Sequence, residues 1–274
     1  MSGNSGSAGV TPRVPVVILC GGLGSRIREV SETLPKPMNL IGGKPILWHI
    51  MKIYSAYGFH DFILCLGYKG WLIKEFFLNY RTMISDFTIT LGRHGNLEFR
   101  DHLEEASWKA TLTDTGEDTM TGGRLLKVKK YLEGCEHFFL TYGDGLADID
   151  IGDLLRTHLE SGLVGTITAV RVAGRFGELE IADGRVMQFS EKPALSSSRV
   201  SGGFMVFDSR RIWDYLDDRE DLVLEEEPLA RMVADRQLGV YGHDGFWQCM
   251  DTPREYNLLN TIWESGKPPW KVWD

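Results

Sequence analysis

The chain has 274 residues, 43% hydrophobic and 25% charged, ordinary proportions for a globular protein able to bury a sizeable core. Its formal net charge of -8 argues against a nucleic-acid backbone as partner, since counterion release needs a surplus of basic residues on one face, whereas small phosphates stay allowed. No apolar run reaches membrane-span length, and Cys20, Cys65, Cys135 and Cys249, widely spaced and without a Cys-x-x-Cys pair, read as reduced core residues of a cytoplasmic protein.

Residues Met1 to Arg13 are rich in Gly, Ser and Asn and lack the apolar centre of a signal peptide, so they read as a disordered leader or cloning remnant ahead of one domain over 14–274. Val16 to Cys20 is a run of β-formers that stops at Gly21-Gly22-Leu23-Gly24-Ser25-Arg26. A buried strand feeding such a tight loop turns its backbone amides together toward an anion, which makes a phosphate cradle. Arg26 adds a positive fork, and Lys36 a second positive point, expected in extended backbone because Pro35 and Pro37 flank it. A Walker loop is excluded: Gly43-Lys44 is followed by Pro45, and Met38 stands where the earlier glycine belongs. A dinucleotide fold is excluded too, because the second strand, Phe62 to Leu66, ends in Gly67-Tyr68-Lys69 and not in an acid.

Ile46, Leu47, Ile50, Met51, Tyr54 and Tyr57 recur at helical spacing until Gly58, and His49 on that helix is read as a packing residue without a chemical role. Asp61 to Leu66 predicts a second strand and Gly70 to Tyr80 a second helix, hence a parallel sheet. The order breaks between Phe87 and Thr115, where Phe87 to Leu91 and Asn96 to Arg100 alternate around Gly92 to Gly95 as an antiparallel ribbon. That ribbon packs back on its own chain or on another subunit. Thr121 opens a helix to Leu132, placing Gly122, Gly123 and Arg124 at its positive end as a second nucleotide candidate. The strand His137 to Tyr142 delivers Asp144 between two glycines at its carboxyl end, where open α/β sheets put their chemistry. Val164 to Val172 is another strand. Phe176 to Ile181 and Arg185 to Phe189 then form a hairpin about Asp183-Gly184, followed by Glu191-Lys192-Pro193. Gly202-Gly203 inside the strand Val200 to Phe207 marks close approach by a ligand or backbone. Glu225-Glu226-Glu227 before Pro228 reads as the acidic start of a helix, with no chemistry assigned. Asp251 stands just before the last helix, Pro253 to Ser265.

Gly-Gly-x-Gly-x-Arg followed by Pro-Lys-Pro resembles the signature of the sugar-nucleotide pyrophosphorylases, nucleotidyltransferases that join a nucleoside triphosphate to a sugar 1-phosphate. Gly42 to Met51, Thr121 to Leu125, Tyr142 to Gly145, Gly174 to Gly177, Gly245 to Gln248 and Gly266 to Trp273 extend the resemblance from about Pro15 to Asp274. They narrow it to the branch that moves a cytidylyl group from CTP to alpha-D-glucose 1-phosphate, giving CDP-glucose and pyrophosphate. The expected fold is α/β: a Rossmann-like, mixed, mostly parallel sheet flanked by helices, with an antiparallel ribbon and a smaller sugar-binding β portion. The resemblance implies that Gly21, Gly22, Leu23, Gly24, Ser25 and Arg26 hold base and phosphates and that Lys36 meets the triphosphate, with Arg26, Lys36 and Asp144 catalytic. It gives Gly122, Gly123 and Arg124 to the nucleotide, with Arg124 donating to the cytosine ring. Gly177, Glu178, Lys192, Gly202 and Gly203 go to glucose 1-phosphate, Asp144 and Asp251 to a magnesium ion, and the subunits to a homo-oligomer, a trimer or hexamer. Such chemistry asks the protein chiefly to hold mutually repelling anions in line, which Arg26, Lys36, Lys192 and magnesium would do. The glycine loop, Lys36 and the aspartates are common to the superfamily, so a thymidylyl- or uridylyltransferase is the alternative, and a non-catalytic nucleotide-sensing subunit a second.

Overall fold

The computed structural model describes residues 13–22, 33–91, 96–100, 103–172, 178–182, 185–190 and 199–273. In chain order, β1 (Val16–Cys20), the short pair β2 (Leu40–Ile41) and β3 (Lys44–Pro45), α1 (Ile46–Ala56), β4 (Asp61–Leu66) and α2 (Gly70–Ile84) come first. A ribbon of β5 (Phe87–Thr90) and β6 (Asn96–Phe99) follows, then β7 (Lys109–Asp114), α3 (Thr121–Val128), β8 (His137–Tyr142), β9 (Gly145–Ala147) and α4 (Ile151–Ser161). The remainder is β10 (Gly165–Arg171), the hairpin β11 (Glu178–Ala182) and β12 (Arg185–Ser190), β13 (Arg199–Asp208), α5 (Glu227–Ala234), β14 (Leu238–His243), β15 (Trp247–Cys249) and α6 (Pro253–Glu264).

Seven strands make the main sheet in the order β14-β10-β13-β8-β1-β4-β7, and β13 alone runs antiparallel to its neighbours β8 and β10. The central strand β1 is buried on both faces, as a helix-covered parallel strand must be. Its alternate side chains feed two cores. Val16 and Ile18 pack with Tyr54, Phe62 and Phe139 under α1, while Val17 and Leu19 pack with Ile63, Leu125 and Phe138 under α3.

After β1 the chain adds β4 on one side and, much later, β8 on the other, so the loops at the carboxyl ends of β1 and β8 diverge. That is a topological switch point, where sheets of this type leave a crevice.

The mixed, mostly parallel sheet, its helices and the ribbon agree with the expectation from sequence, while the following details differ. Residues 109–114 are an edge strand paired parallel to β4, a strand hidden inside the stretch read as ribbon. Helix α2 runs on to Ile84, and α3 stops at Val128 and passes into a 3-10 turn, Lys129–Tyr131. Lys36 is not in extended backbone: Lys36–Met38 is one 3-10 turn that tolerates Pro37 in its first positions, where no amide hydrogen is needed. Arg13, assigned to the leader, pairs with Asp61 and donates to the Tyr131 carbonyl at 3.2 Å, so the folded part already includes it.

Candidate active site

Two cavities meet at the carboxyl edge of the sheet. The first, about 440 Å³, lies beyond β1 and α3, between Gly21, Gly22 and Lys36 on one wall and Glu117 to Thr121 with Arg124 on the other. The second, about 220 Å³, lies beyond β8 and β13, against Gly202, Gly203, Trp247, Cys249 and Asp251. Tyr142 and Asp144 line both.

A small antiparallel pair brings the two distant aspartates together. In the β9/β15 register Cys249 lies opposite Gly145, and the next rung is Met250 N–H to the Asp144 carbonyl at 2.8 Å, so Asp144 and Asp251 leave the pair side by side. Gly143 N–H donates to the Leu19 carbonyl at 3.0 Å, tying this turn to the end of β1. The Lys36 ammonium then donates to Asp144 Oδ2 at 2.6 Å and also to Asp251 Oδ1. Burial alone would depress this ammonium, but the two carboxylates outweigh it and its pKa is raised, so Lys36 stays charged.

Asp251 is itself set by the start of α6. The Thr252 hydroxyl accepts from the Glu255 amide, and Glu255 Oε2 accepts from the amides of Thr252 at 3.0 Å and Asp251 at 2.7 Å, a capping box that fixes the aspartate's backbone. Ligand atoms of Cys249, Asp251 and Glu255 fall within 4.8 Å of one another. They are a poor soft-metal set: burial, then the charges of Asp251 and Glu255, push the Cys249 thiol up to about 12, and Glu255 is engaged as the cap. Asp144 and Asp251, converged on one cationic nitrogen, suit instead a hard cation that takes few carboxylates and completes its shell with water and phosphate oxygens.

Arg124 lines the first cavity, but its terminal nitrogens donate to five protein oxygens: Leu66, Gly116, Gly21 and Glu117 carbonyls and the Thr115 hydroxyl, at 2.7–3.1 Å. The guanidinium lies where a side chain at Gly21 or Gly67 would begin, so these glycines are required by its close approach. Gly122 and Gly123 do not reach the cavity. Their amides donate to the Leu222 carbonyl and their missing side chains make room for residues 219–222, because α3 starts against that segment. No anion can share those two amides.

Gly202 and Gly203, read from sequence as a point of close approach, border the second cavity. Leu23, Gly24, Ser25, Arg26, Gly177 and Lys192 lie outside the described residues, as does the side chain of Glu178. Tyr142, Trp247 and Glu225 also stand at the site, none of them assigned to it from sequence. Trp247 donates its indole N–H to the Gly202 carbonyl at 2.7 Å, and the Tyr142 hydroxyl donates to Glu225. Tyr142 was readable as the strand residue two before Asp144, whereas Glu225 gave no local signal beyond an acidic run.

Residues 15–248 match the family described as nucleotidyl transferase. The chain is 46% identical over 258 residues to the glucose-1-phosphate cytidylyltransferase of Salmonella typhimurium, covering 94% of this chain and 99% of that one. It is 45% identical over 257 residues to the probable glucose-1-phosphate cytidylyltransferase of Bacillus subtilis, with the same coverage. In fold it superposes on HddC from Yersinia pseudotuberculosis with a TM-score of 0.64 at 22% identity, covering 91% of this chain and 99% of that one. No helix among the described residues is long and apolar enough to cross a membrane. A match across most of the chain, on a fold whose crevice gathers the lysine and both aspartates, leaves one conclusion: the chain belongs to the nucleotidyl transferase family.

Proposed function

We propose that this protein transfers a cytidylyl group from CTP to alpha-D-glucose 1-phosphate, releasing pyrophosphate and forming CDP-glucose for deoxysugar or polysaccharide biosynthesis. The observation that carries the reading is the meeting of two cavities at Asp144, with Lys36 and Asp251 beside it. It is supported by the names of the relatives that match along nearly the whole chain.

The nucleotide enters the larger cavity with its phosphates toward Lys36, and the sugar phosphate enters the smaller one between Gly202-Gly203 and Trp247. A sugar-phosphate oxygen then attacks the α-phosphorus in line with departing pyrophosphate, and the protein's work is alignment and charge. Lys36, held charged by its carboxylates, offers a positive point to the phosphates. Asp144 and Asp251 would hold magnesium, which when bound supplies a hard cation that neutralises phosphate oxygens. Arg124 fixes the cavity wall formed by Gly21 and residues 115–117, against which the pyrimidine rests and where cytosine is distinguished. Arg26, Lys192, Gly177 and Glu178 are assigned to the substrates from sequence. The domain assigned from sequence to residues 14–274, extended to Arg13, acts as one nucleotidyltransferase domain in a cytoplasmic homo-oligomer.

The test is pyrophosphate release from glucose 1-phosphate with each of four nucleoside triphosphates, with and without magnesium. CTP with magnesium should be best. Equal or better turnover with dTTP or UTP would overturn the cytidylyl assignment and leave the family intact; no turnover with any would favour a sensing subunit.

A further inference from the structure

We propose that Glu225 is a positioning residue: it holds Tyr142 as the partition between the nucleotide cavity and the sugar cavity, and thereby sets the fit of the sugar 1-phosphate. The proposal rests on the functional reading above and adds to it a residue from the acidic run that sequence reasoning left without a role.

Among the described residues Tyr142 is one of two that line both cavities, so its ring stands at the seam where the two substrates must meet. Two features hold it there. Below, Gly203 adopts φ +77, and a side chain at that position would meet Tyr142 Cδ2 at 2.6 Å, so the ring lies directly on the β13 backbone. At its tip, the Tyr142 hydroxyl donates to Glu225 Oε1.

Glu225 is exposed, yet its backbone neighbours are not free to move. Leu222 and Leu224 are buried in the core under α3, and the Leu222 carbonyl accepts from Gly122 N–H at 2.9 Å and Gly123 N–H at 3.3 Å. Leu224 N–H donates to the Thr121 hydroxyl at 2.9 Å, which in turn donates to Glu225 Oε2 at 2.6 Å. One carboxylate thus accepts two hydroxyl protons, one from the cavity partition and one from the start of α3, the far wall of the nucleotide cavity. A carboxylate can only accept, so both hydroxyl hydrogens point toward it and the tyrosine presents its ring, not its donor, to the sugar side. Without Glu225 the ring keeps its support at Gly203 but loses the anchor at its tip.

The test compares Glu225→Ala, Glu225→Gln and Tyr142→Phe with wild type in steady-state kinetics against both substrates and against epimeric hexose 1-phosphates, alongside thermal melts. Glu225→Ala and Tyr142→Phe should each raise KM for glucose 1-phosphate about three- to tenfold, the size of one partly exposed hydrogen bond, and narrow the preference for glucose over its epimers. Their kcat should change less than KM, and the melting midpoint should hold. Glu225→Gln, which keeps a carbonyl acceptor, should stay within about twofold of wild type, and the Ala/Phe double variant should be no worse than the worse single, because both remove one bond. Unchanged KM and sugar preference in Glu225→Ala, losses that multiply in the double variant, or a fall in melting midpoint that accounts for the effect would each overturn the proposal. A wild type that turns over no sugar 1-phosphate would sink the functional reading instead.

Discussion

At His49 the hydrogen-bond partners dictate the protonation state. Nε2 lies 2.8 Å from the Ile41 carbonyl and must donate to it, while Nδ1 receives the Trp270 indole N–H at 3.4 Å, so a second ring proton would point at another donor. The ring is fully buried, edge-on to Trp48, Trp263 and Trp270, and burial pushes its pKa down to about 4. Burial likewise lowers His158 to about 4, with its neighbour His137 adding to the shift. Both groups bind a proton more weakly folded than unfolded. Their stabilisation is therefore complete above the ordinary histidine pKa of about 6.5 and is lost as pH falls toward about 4, amounting to on the order of 1–3 kcal/mol each. Denaturant melts across that window should show stability falling with pH. His49→Gln, which can still donate and accept, should flatten the decline; an acid limb of unchanged steepness would place the proton elsewhere. That His49 packs was legible from its apolar helix neighbours. Trp263 and Trp270 against it were not, because they arrive from a segment more than two hundred residues away.

The element that makes the site is the three-residue pair of β9 and β15, joined to the cap of α6. Strand, glycines and aspartate could be read locally at Asp144, but the convergence of Asp144 with Asp251 depends on a pairing register that no local pattern encodes. The cap, Thr252-Pro-Arg-Glu255 with proline at the first helical position, was read from sequence only as the start of the last helix at Pro253. Equally hidden were the direction of β13 and the existence of β7, a half-buried edge strand of mixed polarity whose partner is set by the sheet. If the two aspartates serve one cation, Asp144→Asn and Asp251→Asn should each lower turnover on the order of 10²–10³-fold, and the double variant should be little worse. Losses that multiply would separate their roles. Glu255→Ala should cost about 1 kcal/mol in stability as a lost cap and also raise the magnesium concentration needed for half-maximal rate, whereas Glu255→Gln should restore both. A Glu255→Ala enzyme with an unchanged magnesium requirement would leave the cap a purely structural device.

At the scale of the whole molecule the ribbon is the part that the fold does not explain. Register pairs Phe87 with Phe99 and Ile89 with Leu97, which puts four apolar side chains on one face and Thr88, Thr90, Asn96 and Glu98 on the other. Within the chain that face is covered only in part: Arg81 of α2 lies 4.0 Å over the Phe99 ring, while Phe87, Ile89 and Leu97 stay exposed, Ile89 at 56%. On the same helix Leu78 and Met83 are exposed as well. A two-stranded ribbon is marginal in water unless its apolar face is buried, and in the homo-oligomer proposed above a second copy of the same surface would supply that cover. Sequence alternation predicts the ribbon and leaves its own chain and a neighbour open, the family resemblance favours the neighbour, and among the described residues its own chain covers only part of the face. Light scattering at working concentration should give the mass of an oligomer, and Ile89→Lys with Leu97→Glu should lower it. Charges opposite each other on an exposed ribbon can pair, so the monomer produced should stay folded and keep its melting cooperativity. A wild type of monomeric mass, or a double variant whose mass is unchanged, would remove the ribbon from the subunit contact.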